Sequence, residues 1–260
     1  MRDAAAATGD GAVAARRKLG TLRVGTSGYH YPDWREVFYP SALPAREWFR
    51  YYAERFDTVE INHTFYRLPA AATFDAWRER APEGFLYALK FSRFGSHLKR
   101  LREPEATIGR FLEVARRLGP SLGPILVQLP PRWKADPERL ATFLDPAPRD
   151  VRWAVEVRDR SWLGCQVYDV LRDRGAALCI HDMIAHHPSV LTSDWLYFRF
   201  HGRNYAGSYS TRSLEAYARK IRAHLSEGRD VYAYFNNDVG GRAVLDAAEL
   251  RRRVLEAGSP

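Results

Sequence analysis

Cysteine is almost absent from this chain of 260 residues: Cys165 and Cys179 are the only two. Two thiols without metal-ligand spacing exclude a disulfide framework and a zinc-ribbon type of fold, and they suit a reducing compartment. Long apolar runs are missing too. No stretch approaches the roughly 18 residues that a membrane span needs, and no charged-then-apolar segment opens the chain, so the expectation is a cytoplasmic protein with no membrane partner. There is no internal repeat, no low-complexity linker and no break in composition. Lysine is scarce, and nearly all of the net charge of +9 comes from arginine. Arginine suits bidentate contact with phosphate or carboxylate, although codon bias alone would also enrich it.

What remains is ample for a packed interior, since 46% of the residues are hydrophobic. Residues 1–20, rich in Ala and Gly and carrying Arg16-Arg17-Lys18, read as a flexible arm, and residues 21–260 as a single domain. From residue 22 onward, eight short apolar runs alternate with amphipathic stretches. The runs are Leu22 to Thr26, Thr58 to Asn62, Phe85 to Lys90, Pro124 to Leu129, Arg152 to Val157, Ala176 to Ile180, Trp195 to His201 and Val231 to Phe235. Helix signals lie between them. Pro44 precedes Trp48, Tyr51, Tyr52 and Arg55, and Ile108 through Leu118 forms a stripe closed by Gly119. Asp136-Pro137 is a cap with an N1 proline, Leu214 through Leu225 precedes Gly228, and Val244, Leu245, Ala248 and Val254 suggest a last apolar face.

Strand and helix in alternation predict a parallel sheet, and eight units in about 240 residues fit a closed (β/α)8 TIM-type barrel. The absence of GxGxxG after the first run argues against an open dinucleotide-binding sheet. His181 to Asp194 shows no amphipathic pattern, so the helix after strand six should be irregular or missing.

Polar residues gather at the C-terminal ends of all eight runs, the face where barrels of this type bind ligands. They include Thr26 and Ser27, Glu60 and Asn62, Lys90, Gln128, Glu156 and Arg158, His181 and Asp182, Tyr197, Arg199 and His201, and Asn236, Asn237 and Asp238. Chains also leave to solvent there, so polarity alone is ambiguous. Parity adds to it: Glu60 and Asn62, Glu156 and Arg158, and Tyr197, Arg199 and His201 are spaced by two and share a strand face. Glu60 and Glu156 are the expected acid/base or ion-pair carboxylates and His201 the expected proton carrier. Lys90, Arg158 and Arg199 would clamp an anion, with Asn62, Gln128 and Asn236 as orienting hydrogen-bonders. The loop from Phe91 to Arg102, which holds His97, interleaves basic and aromatic residues in a manner suited to phosphate contact with stacking.

A metal site could draw on Glu60, Glu156, His181, Asp182, His201 and Asp238, but no HxH or HExxH spacing supports one, and the nearby cations oppose it. His186-His187 is a weak pair, and no nucleophile elbow surrounds Ser27 or Ser96. Which cofactor, if any, the protein uses is unknown from the sequence.

Several ordered motifs resemble the YecE-like family, known as domain of unknown function 72. They are Gly25-Thr26-Ser27-Gly28-Tyr29, Val59-Glu60-Ile61-Asn62 with Thr64-Phe65-Tyr66-Arg67, and Gln128-Leu129-Pro130-Pro131. Glu156-Val157-Arg158 with Ser161-Trp162, Arg199 with His201-Gly202, and Tyr234-Phe235-Asn236-Asn237 continue the series. The resemblance runs through residues 22 to 250 and implies a (β/α)8 barrel without implying a reaction. His181 before Asp182, and Asp246 where the family tends to place Asn, depart from the pattern. The expected function is therefore a barrel whose mouth binds a small anionic ligand and acts on it by acid/base chemistry. The alternatives are a non-catalytic nucleic-acid binder and a metal-dependent phosphodiesterase resembling endonuclease IV.

Overall fold

The computed structural model describes residues 18–202 and 205–256. Most of the expected arm, residues 1–17, lies outside the described residues; where the chain enters them, the Gly20 N–H bonds the carbonyl of Leu225 at 2.9 Å. Eight strands form one parallel sheet: β1 (Leu22–Thr26), β2 (Thr58–Ile61), β3 (Leu86–Lys90), β4 (Leu122–Gln128), β5 (Trp153–Glu156), β6 (Ala177–His181), β7 (Trp195–Phe200) and β8 (Asp230–Phe235). They are hydrogen-bonded in the order β1-β8-β7-β6-β5-β4-β3-β2. A parallel bridge between Ser27 and Glu60 and the Gly28 N–H on the Glu60 carbonyl, at 2.8 Å, bring β2 back to β1, so the sheet is a nearly closed barrel.

That seam is closed by a side chain where the backbone ladder fails. Tyr52 Oη accepts the Thr26 N–H at 2.9 Å and donates to the Thr58 carbonyl at 3.0 Å, bridging β1 to β2. Buried backbone groups need partners, and a phenol supplies both roles at once. Gly25 makes room for this approach, because a Cβ there would stand 2.2 Å from the Thr58 carbonyl oxygen.

Around the barrel lie α1 (Trp48–Ala53), α2 (His63–Tyr66), α3 (Ala71–Arg80), α4 (Pro104–Ala115), α5 (Pro137–Leu144), α6 (Cys165–Arg174), α7 (Thr211–Ser226) and α8 (Arg242–Glu256). None is long and apolar enough to cross a membrane. No helix separates β6 from β7, as the lack of periodicity predicts. The loop is pinned instead by Thr192, whose hydroxyl takes the Leu178 N–H at 2.8 Å and donates to the Ala176 carbonyl at 2.7 Å.

Two helices carry little or unread signal. Helix α3 buries only Phe74, so it has no stripe, whereas α6 buries Val167, Tyr168 and Leu171 and stops at Gly175, with φ of 65°. The last apolar face is also rotated from expectation. Leu245 and Ala248 are exposed, and Ala243, Val244, Ala247, Leu250 and Val254 face the barrel.

Strand parity sorts the core into two layers. Leu196, Phe198 and Phe200 pack outward against helices, whereas Trp195 and Tyr197 point into the lumen. The lumen is filled unevenly. Ala88, Ala154 and Ala177 come from β3, β5 and β6, and Trp195, Tyr197, Tyr232 and Tyr234 from β7 and β8. Small side chains on one wall accept aromatic ones from the other, which packs the interior and leaves the polar layer above it.

Candidate functional site

Above the aromatic layer, Arg199 lies across the axis between two carboxylates. Its Nη2 donates to Glu60 Oε1 at 2.7 Å and its Nη1 to Glu156 Oε2 at 2.6 Å; all three side chains are buried. Nη2 also donates to Asn236 Oδ1 at 2.6 Å. Glu60 further accepts from Ser27 Oγ at 2.6 Å and Tyr197 Oη at 2.7 Å, while Arg158 Nε pairs with the other oxygen of Glu156. Burial works to raise both carboxyl pKa values. For Glu60, Arg199 and the hydrogen bonds from Ser27 and Tyr197 more than offset it; for Glu156, Arg199 and Arg158 hold the group well below the usual range. Both glutamates are therefore ionised at neutral pH.

On the β6–β7 side, His201 is fully buried. Arg158 Nη2 and Arg199 Nη1 each approach its Nε2 at 3.4 Å, and Nδ1 lies 3.1 Å from Asp182 Oδ1. Guanidinium nitrogens can only donate, so the network assigns the proton to Nδ1 and leaves Nε2 as the acceptor. Burial lowers the His201 pKa, with Asp182 and Glu156 opposing. Asp182 also takes the N–H groups of His201 and Gly202 and the hydroxyl of Tyr209.

The β2–β3 side is different. Lys90 is 8% exposed, and its Nζ stands 4.3 Å from the centre of the Phe65 ring. No described acidic side chain pairs with it. Burial, followed by the charge of Arg199, lowers its pKa to about 8. The His97 ring meets Phe65 edge-on at 5.0 Å, and burial with the charge of Lys90 lowers His97 to about 4. Gln128 Oε1 lies 3.4 Å from Arg158 Nη2.

On the opposite flank of β1, burial raises the Asp238 carboxyl to about 7 against the pull of Tyr31 and Arg199. Its backbone carbonyl accepts from Trp34 Nε1 at 2.9 Å.

The barrel thus draws together Glu60, Asn62, Lys90, Gln128, Glu156, Arg158, Tyr197, Arg199, His201 and Asn236, with His97 and Asp182 at the edges. Two residues are held away. Asn237 donates to Asp246 Oδ2 at 2.7 Å and to the Gly207 carbonyl at 2.8 Å, so its amide clamps the loop after β7. His181 has both ring nitrogens occupied, by the Val157 carbonyl at 2.8 Å and the Met183 N–H at 3.2 Å. Among the described residues no three His, Cys, Asp or Glu side chains converge as metal ligands. The two central carboxylates are occupied by arginine. In the loop after β3, Gly95 and Ser96 are buried and Arg93, Arg100 and Arg102 face solvent. Sequence reasoning gave no role to Tyr209 and counted Ser27 only among the polar strand ends.

Comparison with known proteins agrees with this architecture. The UPF0759 protein YunF of Bacillus subtilis (strain 168) is 24% identical over 271 residues, covering 90% of this chain and 94% of its own length. A DUF72 family protein of Thermotoga maritima superposes with a TM-score of 0.77 at 26% identity, covering 89% of this chain and 98% of that one. A DUF72 family protein of Enterococcus faecalis has the same fold, with a TM-score of 0.74 at 21% identity over 90% of this chain and 95% of that one. The family model described as Protein of unknown function DUF72 matches residues 23–259, and the chain belongs to that family.

Proposed function

We propose that the barrel mouth binds a small ligand through one phosphate or carboxylate group, seated on Lys90 with Arg158 beside it, and carries out acid/base chemistry on that ligand. The observation that supports this reading is the isolation of Lys90. Arg199 and Arg158 are matched to Glu60 and Glu156, but the Lys90 ammonium is buried against an aromatic ring with no described acidic partner. Glu156 and Glu60 act on it only from beyond ion-pair distance, and an anionic ligand would supply the direct counterion that favours such a buried charge.

In this reading Glu60 and Glu156 fix Arg199 and set the field of the mouth, and proton transfer falls to the Asp238 carboxyl and the His201 ring. The Asp238 carboxyl, at about 7, can both give and take a proton, while the Nε2 lone pair of His201 becomes available only where a ligand draws Arg158 and Arg199 from their 3.4 Å contacts with it. Asn62, Gln128, Tyr197 and Asn236 orient the ligand or the charged groups. A thermal-shift titration with inorganic phosphate, sulfate and acetate tests the anion step. The parent chain should be stabilised and the Lys90→Met variant should not, because only binding to the folded state raises the melting temperature. Equal responses would remove Lys90 from the site. Stabilisation by a short oligonucleotide alone, weakening steeply with salt, would favour nucleic-acid binding instead.

A further inference from the structure

One arc of the rim is short of hydrogen-bond donors. Ser27 Oγ gives its proton to Glu60 Oε1 at 2.6 Å, so a lone pair remains for Asn62, whose Nδ2 approaches Oγ at 2.5 Å. This fixes the amide orientation: the nitrogen is turned to Ser27 and Oδ1 away from it. Asn62 Oδ1 is buried and has no donor among the described residues. Asp238 Oδ1 also has no donor among the described residues, because the Tyr31 hydroxyl beside this carboxyl gives its one proton to the Ser27 carbonyl at 2.6 Å. The two acceptors follow β2 and β8, the strands that flank β1, and Lys90 ends β3 on the next strand along.

A buried acceptor left unpaired costs about 1–3 kcal/mol, and each such atom calls for an explanation. A carboxylate or a fully ionised phosphate monoester cannot satisfy these oxygens, because it brings only acceptors. A second cation on the ligand would face Lys90 and the two arginines. Hydroxyl groups donate without charge. We infer that the anion held at Lys90 belongs to a polyhydroxylated molecule, a sugar or polyol phosphate or a sugar acid, whose hydroxyls donate to Asn62 Oδ1 and Asp238 Oδ1. The inference rests on the anion reading above and adds the class of ligand to it.

Calorimetric titration of the full chain with matched four-carbon pairs tests it: erythritol 4-phosphate against n-butyl phosphate, and erythronate against butanoate, with inorganic phosphate as reference. In at least one pair the hydroxylated member should bind about tenfold or more tightly, the equivalent of roughly one good hydrogen bond. That ratio should shrink toward one in Asn62→Ala and in Asp238→Ala. Equal affinities within both pairs would overturn the inference while leaving the anion site intact, the outcome expected if water satisfies the two oxygens. An undiminished ratio in both variants would also overturn it. Failure of both pairs and of inorganic phosphate to bind would overturn the anion reading itself. The comparison within each pair uses the parent chain, so it stands even if a variant does not fold.

Discussion

Arg199 meets Glu60 twice through a single oxygen, with Nη2 at 2.7 Å and Nε at 3.2 Å from Oε1. The second carboxylate oxygen is left for Tyr197, and the far side of the guanidinium for Glu156. One arginine thus neutralises carboxylates from strands on different sides of the lumen. The charge layer is tied together by side chains as well as by the sheet beneath it.

Removing Arg199 should be severe. Arg199→Ala leaves Glu60 and part of Glu156 buried without a counterion, and breaking a buried pair in this way typically costs about 3–5 kcal/mol. Urea unfolding at pH 7 should show a correspondingly lowered midpoint. A midpoint at the parent value would show that the network contributes nothing to the fold.

Asp238 makes a pH-dependent contribution of known sign. Its folded pKa, about 7, lies above the ordinary 3.8, so the folded state holds the proton more tightly. The groups facing it are Tyr31, Asp33, Glu60 and Arg199. The associated stability is fully present below about pH 4 and is lost as the pH rises through about 7, by at most about 1.4 kcal/mol per unit. Asp238→Asn cannot titrate, so it should gain on the parent between about pH 4 and 7. Parallel stability curves for the two proteins would contradict the assignment.

Lys90 sets the upper limit for anion binding. With its pKa lowered to about 8 by burial and Arg199, and with Arg158, Glu156 and Glu60 also in range, its charge disappears in mildly alkaline solution. Sulfate keeps its charge throughout, so its affinity should be level to about pH 7 and fall above pH 8. In Lys90→Arg that decline should vanish, since a guanidinium stays protonated. An identical decline in the variant would place the titrating group elsewhere.

The seam predicts a local effect. Tyr52→Phe removes the acceptor for the Thr26 N–H and the donor to Thr58, leaving buried backbone groups unpaired at about 1–3 kcal/mol. Hydrogen exchange at the Thr26 amide should quicken more than exchange in β4 or β5. Uniform protection across all strands would mean that the barrel closes without this phenol.

Much of the architecture was legible because it depends on local pattern. Eight apolar runs, their helical separators and the featureless segment from Asp182 to Asp194 are properties of neighbouring residues. Strand period alone placed Tyr197, Arg199 and His201 on the face opposite Phe198 and Phe200. Helix α3 was not legible, because its single buried residue leaves no period to read. The face of α8 was misjudged because Leu245 and Ala248 are apolar yet exposed, and polarity alone does not say which side of a helix meets the barrel.

By itself the sequence determined the barrel, the end that carries the polar layer and the parity that sends these side chains inward. Pairing within that layer was decided only in three dimensions. Glu60 and Arg199 lie 139 positions apart and Glu156 and Arg199 43 apart, and no local rule states that they meet. Nor does any local rule turn Asn237 to Asp246 while Asn236 faces Arg199, or leave Lys90 beside Phe65 with no acidic side chain in ion-pair contact among the described residues. Side-chain direction follows from the chain's own period, but the choice of partner depends on the height and rotation of strands brought together by closure. The orphaned acceptors of Asn62 and Asp238 emerge at that same level.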